Sequence, residues 1–194
     1  MRTLLIILFT ASMAWAGSET LDPNSDIYND WTCVGIDCPD HWRELSDNND
    51  AGYDSSYNSD TDAAMYGLPT ASTADSTIDS VVYHLRVKLN HVNNTVAILD
   101  SVAGQTAASP RQSSTISNTT TSYFDSTRSY TTDPDGGEWS WTDITNLNIG
   151  YTMVNAQNKQ STLMSELWAV VWYTYAAAGG DISYVRRIKE QEEQ

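Results

Sequence analysis

The acidic stretch of residues 47–62 carries the side chains best suited to bind a metal ion. Six of them offer the hard oxygen donors that Ca²⁺ prefers: Asp47, Asn49, Asp50, Asp54, Asp60 and Asp62. The stretch begins with the acidic spacing of a calcium-binding loop. However, Ala51 occupies a ligand position, and Asn58 stands where such a loop needs a bidentate Glu. The sequence therefore leaves two interpretations open, a calcium site and a solvated acidic loop.

Aromatic side chains could stack on sugar rings. The chain has 11 Tyr and 7 Trp but only 2 Phe, so most of its aromatic rings carry a polar group. The candidates for glycan stacking are Tyr53, Tyr57, Trp31 and Trp42. The alternative for Trp31 and Trp42 is packing in the core or at a sheet edge, where large aromatic residues are commonly found.

Catalytic motifs are missing from the sequence. It contains no Gly-x-Ser-x-Gly segment and no phosphate-binding loop. The three histidines, His41, His84 and His91, show no metal-binding spacing. A pair of carboxylates for glycoside hydrolysis forms only in three dimensions, so the abundance of acidic residues carries no information about it. We therefore expect a protein that is not an enzyme and has no catalytic residues.

The first sixteen residues have the pattern of a cleavable export signal. Arg2 supplies the positive charge, residues 4–9 are apolar, and Ala14-Trp15-Ala16 fits a cleavage site that would leave Gly17 as the new N-terminus. The apolar run is shorter than the roughly 20 residues of a membrane span, so an uncleaved anchor is the weaker alternative. The sequence predicts a protein that is secreted or held at the cell surface, with no membrane contact after cleavage.

Secretion would affect two other features of the sequence, the cysteine pair and the glycosylation sequons. Cys33 and Cys38 are the two cysteines of the chain, and an oxidising environment favours a disulfide between them. Metal binding by the pair is the alternative, but among other ligands only His41 is close in sequence. Asn93 and Asn118 begin Asn-x-Thr sequons, which matter only in a host that glycosylates.

The charge excludes two classes of partner. The formal net charge is -15, from 25 acidic and 10 basic residues. Such a surface repels phosphate backbones and anionic membrane surfaces. We expect no nucleic-acid partner.

Short strands must position these residues. Apolar and polar side chains alternate over residues 78–89, which is the pattern of a half-buried strand. A partner strand is predicted over 95–102, with a hairpin turn at 91–94. Further strands are predicted over 27–34, 53–57, 122–131 and 149–154. One short helical turn is predicted over 143–147, capped by Thr142.

The segment 163–175 is the most apolar after the export signal. Apolar residues stand at both odd and even positions, which indicates a strand covered on both faces or a buried helix. Its Val, Trp and Tyr content favours the strand.

These elements predict an all-β protein, an antiparallel β-sandwich with one short helical turn. The predicted organisation is a signal peptide over 1–16, a flexible lead-in over 17–26, the sandwich over 27–178 and a charged tail over 179–194. Within the sandwich, we expect Trp139 and Trp141 to plug the core and Gly150 to permit tight re-entry into the next strand.

Several segments together resemble a known group of domains. They are His41-Trp42 before the acidic stretch, Met65-Tyr66-Gly67-Leu68, residues 131–150 with their Asp-Pro…Gly…Trp-x-Trp-x-x-Ile-x-x-Leu-x-x-Gly pattern, and residues 167–173. This combination resembles jelly-roll β-sandwich domains of tailed-phage virion proteins and of bacterial secreted or surface proteins. The resemblance implies a jelly-roll fold without catalytic residues. The export signal, the cysteine pair and the tail depart from that pattern.

The function expected from these observations is that of a non-catalytic structural subunit. It would belong to an extracellular filament, a sheath or a virion-like coat, and would self-assemble into a homopolymer. Strand exchange through a terminal arm, either residues 17–34 or 181–194, would join the copies. The alternative is a secreted carbohydrate- or surface-binding module with glycans as partners, and a hydrolase is the weakest of the three. No cofactor is expected apart from calcium.

Overall fold

Two antiparallel sheets face each other across one hydrophobic core. This computed structural model describes residues 15–35, 40–46, 50–56, 62–71, 76–91, 93–104, 110–118, 122–155 and 161–175. The six-stranded sheet contains β1 (Trp15–Leu21), β3 (Thr32–Val34), β4 (Tyr53–Ser56), β6 (Ser76–Leu89), β9 (Phe124–Tyr130) and β11 (Thr162–Tyr175). The five-stranded sheet contains β2 (Ser25–Asn29), β5 (Ala63–Gly67), β7 (Thr95–Val102), β8 (Arg111–Gln112) and β10 (Leu147–Asn155).

The strand order confirms the predicted jelly-roll-like β-sandwich. The six-stranded sheet has the order β3-β4-β11-β6-β9, with β1 also paired to β11, and the five-stranded sheet has the order β2-β5-β10-β7-β8. From β4 onward the chain crosses between the sheets at every connection except the one from β7 to β8. The long strand β11 pairs with β6 on one side and with both β4 and β1 on the other.

The predicted hairpin between residues 78–89 and 95–102 is wrong, although both strands exist. β6 lies in the six-stranded sheet and β7 in the five-stranded sheet, so the connection between them crosses from one sheet to the other. The Asn94 side chain fixes this crossing by donating to Thr162 Oγ1 over 3.3 Å. Alternation identifies the side chains that face the core, but two strands on opposite sides of one core show the same alternation.

The core is built from the inward rows of both sheets. β6 contributes Tyr83, Leu85 and Val87, and β11 contributes Leu167, Ala169 and Val171, all fully buried. The facing sheet contributes a matching set of buried residues: Tyr66, Val96, Ile98, Ile149, Tyr151 and Met153.

The strand prediction for residues 163–175 is confirmed, but the expectation that both faces are covered is wrong. Leu167, Ala169 and Val171 point into the core. The alternate residues point away from it, and among them Trp172 is 46% exposed. The outer face of this strand is therefore accessible to a ligand.

The N-terminal region is more ordered than the sequence predicts. Instead of a flexible lead-in over 17–26, residues 17–21 lie in β1 and residues 25–26 begin β2. The single strand predicted over 27–34 is divided at Trp31, whose buried side chain lies between β2 and β3, and these two strands belong to different sheets. The chain thus uses residues 17–34 to complete its own two sheets.

The described residues contain two short helices rather than one. The first, α1 (His41–Glu44), follows β3 and lies in a segment for which the sequence predicts no helix. The second, α2 (Trp141–Thr145), begins before the predicted turn because Ser140, not Thr142, is its N-cap and forms a capping box with Asp143. No helix in the described part of the chain is long and apolar enough to cross a membrane.

Candidate functional site

The outer face of the six-stranded sheet carries a row of aromatic and aliphatic side chains. Because side chains alternate along a strand, the residues between the core positions of β11 and β6 point outward together. We call this set the outer aromatic face: Trp168, Val170 and Trp172 on β11, with Val82 and His84 on β6. In the sheet register, Trp168 lies opposite His84, and Val170 lies opposite Val82.

His84 and Trp168 form a stacked pair across the two strands. Their ring centroids are 4.8 Å apart and their planes differ by 8°. Burial against the indole lowers the pKa of His84, and Asp125 on the neighbouring strand opposes that shift. Lowering the pKa favours the neutral imidazole, which keeps this part of the face uncharged.

Trp172 is the most exposed ring of the outer aromatic face. It lies four residues from Trp168 on the same side of β11, a distance of roughly 13 Å along a strand. Ser18 of β1 and Ser80 of β6 lie opposite Trp172 on its two sides. Exposed hydroxyls continue along the flanking strands, on Thr20 of β1 and on Thr127 and Ser129 of β9. Apolar rings in the centre and hydroxyls at both sides can bind a molecule with apolar faces and polar edges.

A charged cluster closes the end of the face beyond Trp168. The Arg86 guanidinium donates to both carboxylate oxygens of Asp50, over 2.7 and 2.8 Å, and to Asp125 over 3.1 Å. Glu166 lies 3.8 Å from the same guanidinium. The hydrogen bond from Arg86 lowers the pKa of Asp50, and Ser165 donates to the same carboxylate over 2.9 Å. The cluster is thus paired internally.

Tyr123 extends the face beside this cluster. Arg86 and Lys88 lie 5.5 and 5.9 Å from the centre of its ring, within the range of cation–π contact. Burial raises the pKa of Tyr123 to about 12, and the nearby Asp50 and Tyr53 add to the shift. The ring therefore stays a neutral phenol at physiological pH.

A second cluster of polar side chains lies inside the sandwich, around the fully buried Asp54. Tyr66 and Tyr151, both from the five-stranded sheet, donate to its Oδ2, Tyr151 over 2.7 Å. Asn29 donates to the same oxygen over 2.7 Å, and His41 Nδ1 lies 2.7 Å from Oδ1. These contacts tie α1 and β4 to the facing sheet.

Cys33, His41 and Asp54 place one potential ligand atom each within 4.8 Å of the others, which is close enough for a shared metal ion. Both oxygens of Asp54 are already engaged by protein groups. A disulfide at Cys33, as the sequence predicts, would also remove the thiolate that metal binding requires. We therefore assign this cluster a structural role.

The predicted calcium ligands do not converge where the structure describes them. Asp50 pairs with Arg86 on the outer face, whereas Asp54 points into the core. Asp62 lies before β5, where its backbone oxygen accepts from Met153. Asp47, Asn49 and Asp60 lie outside the described residues. Asp50 and Asp54 cannot share one ion because their carboxylates lie on opposite faces of the same sheet.

Of the predicted glycan-stacking residues, one is buried in the core, two are half-buried and one lies outside the described residues. Trp31 is only 4% exposed and packs edge-on against Tyr151 with a centroid distance of 4.8 Å, so it is a core residue. Trp42 packs partly against the core, with Arg43 lying 5.0 Å above its ring. Tyr53 is half-buried near Tyr123, and Tyr57 lies outside the described residues.

The other predicted sites stay predictions. Cys33 lies in β3, but its predicted partner Cys38 is outside the described residues, as are residues 1–14 of the export signal and the tail from residue 176 onward. Asn93 is exposed in the crossing between β6 and β7, and Asn118 is half-buried.

Sequence reasoning missed Trp168, Trp172 and His84 as site residues. The pattern that could have identified them is the alternation along β11. Trp168 and Trp172 occupy even positions, and the core residues Leu167 and Val171 occupy odd ones. Both parities are apolar, so the alternation alone does not show which of them is exposed.

Comparisons with known proteins yield structural neighbours but no family. No family model matches this sequence, and no curated protein matches it. Among 29 matching chains of solved structures, one contains the CBM22-1 and GH10 modules of endo-1,4-β-D-xylanase 10B from Clostridium thermocellum, complexed with xylohexaose (11% identity, TM-score 0.47). Another is the CBM36-1 domain of a multidomain xylanase from the hindgut metagenome of Trinervitermes trinervoides (13%, 0.42). A third is truncated AlyQ with CBM32 and alginate lyase domains (16%, 0.43).

These matches cover most of this chain but, for two of the neighbours, only a small part of the neighbour's chain. They cover 79%, 79% and 86% of this chain, in the same order, but 28%, 96% and 36% of the neighbours. This chain therefore spans about a third of the length of the xylanase and AlyQ chains. With TM-scores below 0.5, the likeness assigns neither a family nor a ligand to this chain, and its fold is described by its own topology.

Proposed function

We propose that this chain is a non-catalytic carbohydrate-binding module that binds glycans outside the cell through the outer aromatic face. The observation that carries the proposal is the row of Trp168, Val170 and Trp172 along β11, exposed at Trp172 and flanked by hydroxyl-bearing strands. Sugar rings present C–H faces that stack on aromatic rings and hydroxyls that exchange hydrogen bonds at the edges.

Binding fits the face better than hydrolysis does. A glycosidase needs one carboxyl group that is protonated and a second that is free to act as base or nucleophile. At the end of the face beyond Trp168, the carboxylates of Asp50, Asp125 and Glu166 all lie within ion-pair distance of Arg86. The hydrogen bond from Arg86 lowers the pKa of Asp50 and so favours its ionised form, which opposes the role of a general acid.

Binding also fits better than strand exchange through the N-terminal arm. Residues 17–34, one of the two arms expected to join neighbouring copies, form β1, β2 and β3 within this chain. An arm that already completes its own sheets has to be displaced before it can complete another copy. The outer aromatic face needs no such rearrangement to meet a ligand.

Calorimetric titration with polysaccharides tests the proposal. Replacing Trp172 or Trp168 by Ala should weaken binding about tenfold, the effect of losing an aromatic contact worth about 1.4 kcal/mol. The matched control is Tyr28→Ala, which removes a ring that is 42% exposed on the five-stranded sheet. Unchanged circular dichroism spectra would show that the variants keep the fold.

Two outcomes would contradict the proposal. The first is that none of the polysaccharides binds to the natural chain. The second is that Tyr28→Ala weakens binding as much as Trp172→Ala does, which would locate binding elsewhere or show it to be unspecific. Light scattering in parallel would show whether the same face instead joins copies of this chain.

A further inference from the structure

The shape of the outer aromatic face restricts how a glycan can lie on it. The face extends roughly 13 Å along β11 from Trp172 to Trp168, but it is only two strands wide, since β6 lies about 5 Å from β11. Val170 and Val82 form its middle, and the strands on either side carry hydroxyls. A ligand that follows the apolar row must therefore run lengthwise along the strand.

The charges at both ends of the face restrict the chemistry of the ligand. Beyond Trp168, the carboxylates of Asp50, Asp125 and Glu166 outnumber the cations of Arg86 and Lys88. Beyond Trp172, Asp79 accepts a hydrogen bond from Thr174 over 2.6 Å and adds another negative charge. Between the two ends, the lowered pKa of His84 favours its neutral form.

Arg86, the cation nearest the face, is already paired and cannot bind an anionic sugar without giving up its partners. Arg86 directs Nε and Nη2 to Asp50 and Nη1 to Asp125, so a carboxylate or sulfate would have to displace these partners. The whole chain adds long-range repulsion through its net charge of -15.

We infer that the ligand is an uncharged polysaccharide whose chain lies lengthwise along β11, in contact with Trp172 and Trp168 at once. This inference rests on the proposed function and names its substrate class. Stacking supplies the attraction, and the acidic residues at both ends of the face discriminate against uronic-acid and sulfated polymers. Binding governed by stacking and hydrogen bonds should depend little on salt.

Calorimetric titration with two sets of probes tests this inference. The neutral set contains cello- and xylo-oligosaccharides, from the monosaccharide to the hexasaccharide, together with xylan, glucomannan and soluble starch. The anionic set contains alginate, polygalacturonate and dextran sulfate. Affinity should rise with the length of one neutral series and then level off once the chain contacts both Trp168 and Trp172. It should change less than about twofold between about 50 and 500 mM NaCl.

A charge variant sharpens the test. Asp125→Asn combined with Glu166→Gln removes two carboxylates from the end of the face but leaves both tryptophans and the Arg86–Asp50 pair in place. Weak binding of the anionic probes should emerge at low salt, and affinity for the neutral ligand should stay within about twofold.

A second charge variant serves as the matched control. Asp135→Asn combined with Glu138→Gln changes the net charge by the same amount, but it removes two exposed carboxylates from the turn between β9 and α2. This control should leave the anionic probes unbound. If both charge variants bound the anionic probes equally, the discrimination would come from the net charge of the chain rather than from the ends of the face.

The outcomes separate this inference from the proposed function. Preferential binding of an anionic probe that is lost in Trp172→Ala would overturn the inference and leave glycan binding by this face intact. Equal affinity for the monosaccharide and the hexasaccharide would overturn the lengthwise arrangement. Absence of binding to every probe of both sets would overturn the proposed function itself.

Discussion

At the scale of single residues, the Asp54 carboxylate has the most demanding environment. It is fully buried, and Asn29, Tyr66 and Tyr151 all donate to its Oδ2. A buried carboxylate is tolerated only when it is hydrogen-bonded or paired, and its donors in turn need the acceptor. Asp54 is thus the shared acceptor that fixes two tyrosines of the opposite sheet.

Replacing Asp54 by Ala should destabilise the fold strongly. The change leaves several buried donors without an acceptor, and we expect a loss of about 3–5 kcal/mol in the free energy of unfolding. Urea denaturation followed by tryptophan fluorescence measures it. The control is Asp125→Ala, which removes a carboxylate that is 67% exposed and should cost less than about 1 kcal/mol. Equal losses in the two variants would refute the structural role of Asp54.

The sequence reveals the chemistry of such residues but not their partners. Asp54 belongs to the acidic stretch that suggests a calcium site, yet its partner Tyr151 lies 97 residues further along the chain. Trp31 and Trp172 are both tryptophans in predicted strands, and only the packing makes one a core residue and the other an exposed ring. Contacts between distant segments decide both cases, and no local pattern encodes them.

At the scale of elements, the close contact between β10 and β5 depends on Gly150. A Cβ added to this residue would lie 2.0 Å from the backbone oxygen of Ala64. Backbone atoms in the middle of a sheet cannot move aside as the end of a side chain can. The sequence predicts Gly150 as the point of re-entry into a strand, whereas the structure places it within β10, where its lack of a side chain permits this approach.

Gly150→Ala should therefore separate or distort the two strands. Overpacking of this kind typically costs 1–3 kcal/mol, and we expect a loss of about 2 kcal/mol or more in the free energy of unfolding. Thermal and urea denaturation both measure it. The matched control is Gly137→Ala, where the nearest atom to an added Cβ is a carboxylate oxygen of Asp133 at 3.3 Å. A Gly150→Ala variant as stable as this control would contradict the packing argument.

Most strands are predictable from the sequence, and their pairing is not. The alternating pattern of β6 and the turn signals around β7 and β9 give these strands nearly their observed bounds. Pairing depends on which side of the core a strand occupies, and the crossing at residues 90–94 looks like a hairpin turn when only local residues are considered. The start of α2 can be predicted from the sequence, because Ser140 and Asp143 have the spacing of a capping box.

At the scale of the whole molecule, three buried phenols link stability to alkaline pH. Burial, together with the neighbouring carboxylates Asp54 and Asp100, raises the pKa of Tyr66, Tyr83 and Tyr151 well above 10. The folded state therefore retains these protons after the unfolded chain has released them. The stability that they contribute is fully present below pH 10 and is lost as the pH rises towards the folded-state pKa values.

We expect the free energy of unfolding to fall steeply above pH 10. Three phenols with an unfolded pKa near 10 account for a loss of about 3 kcal/mol between pH 10 and pH 11. Urea denaturation at a series of pH values measures the slope, and phenolate absorbance follows ionisation directly. Tyr83→Phe should reduce the loss over this interval by about 1 kcal/mol. A stability that stays constant up to pH 11 would show that these phenols ionise in the folded state.

The position of β11 has a consequence for the order in which this protein can assemble. β11 pairs with β6, β4 and β1, so the six-stranded sheet lacks its central member until residues 162–175 have been made and delivered. Until then, β6 and β1 have no strand between them, and pairing across such sequence distances is slow. A chain that emerges from its N-terminus therefore cannot complete this sheet until residues 162–175 have been made, even though β1 and β6 precede them by many residues.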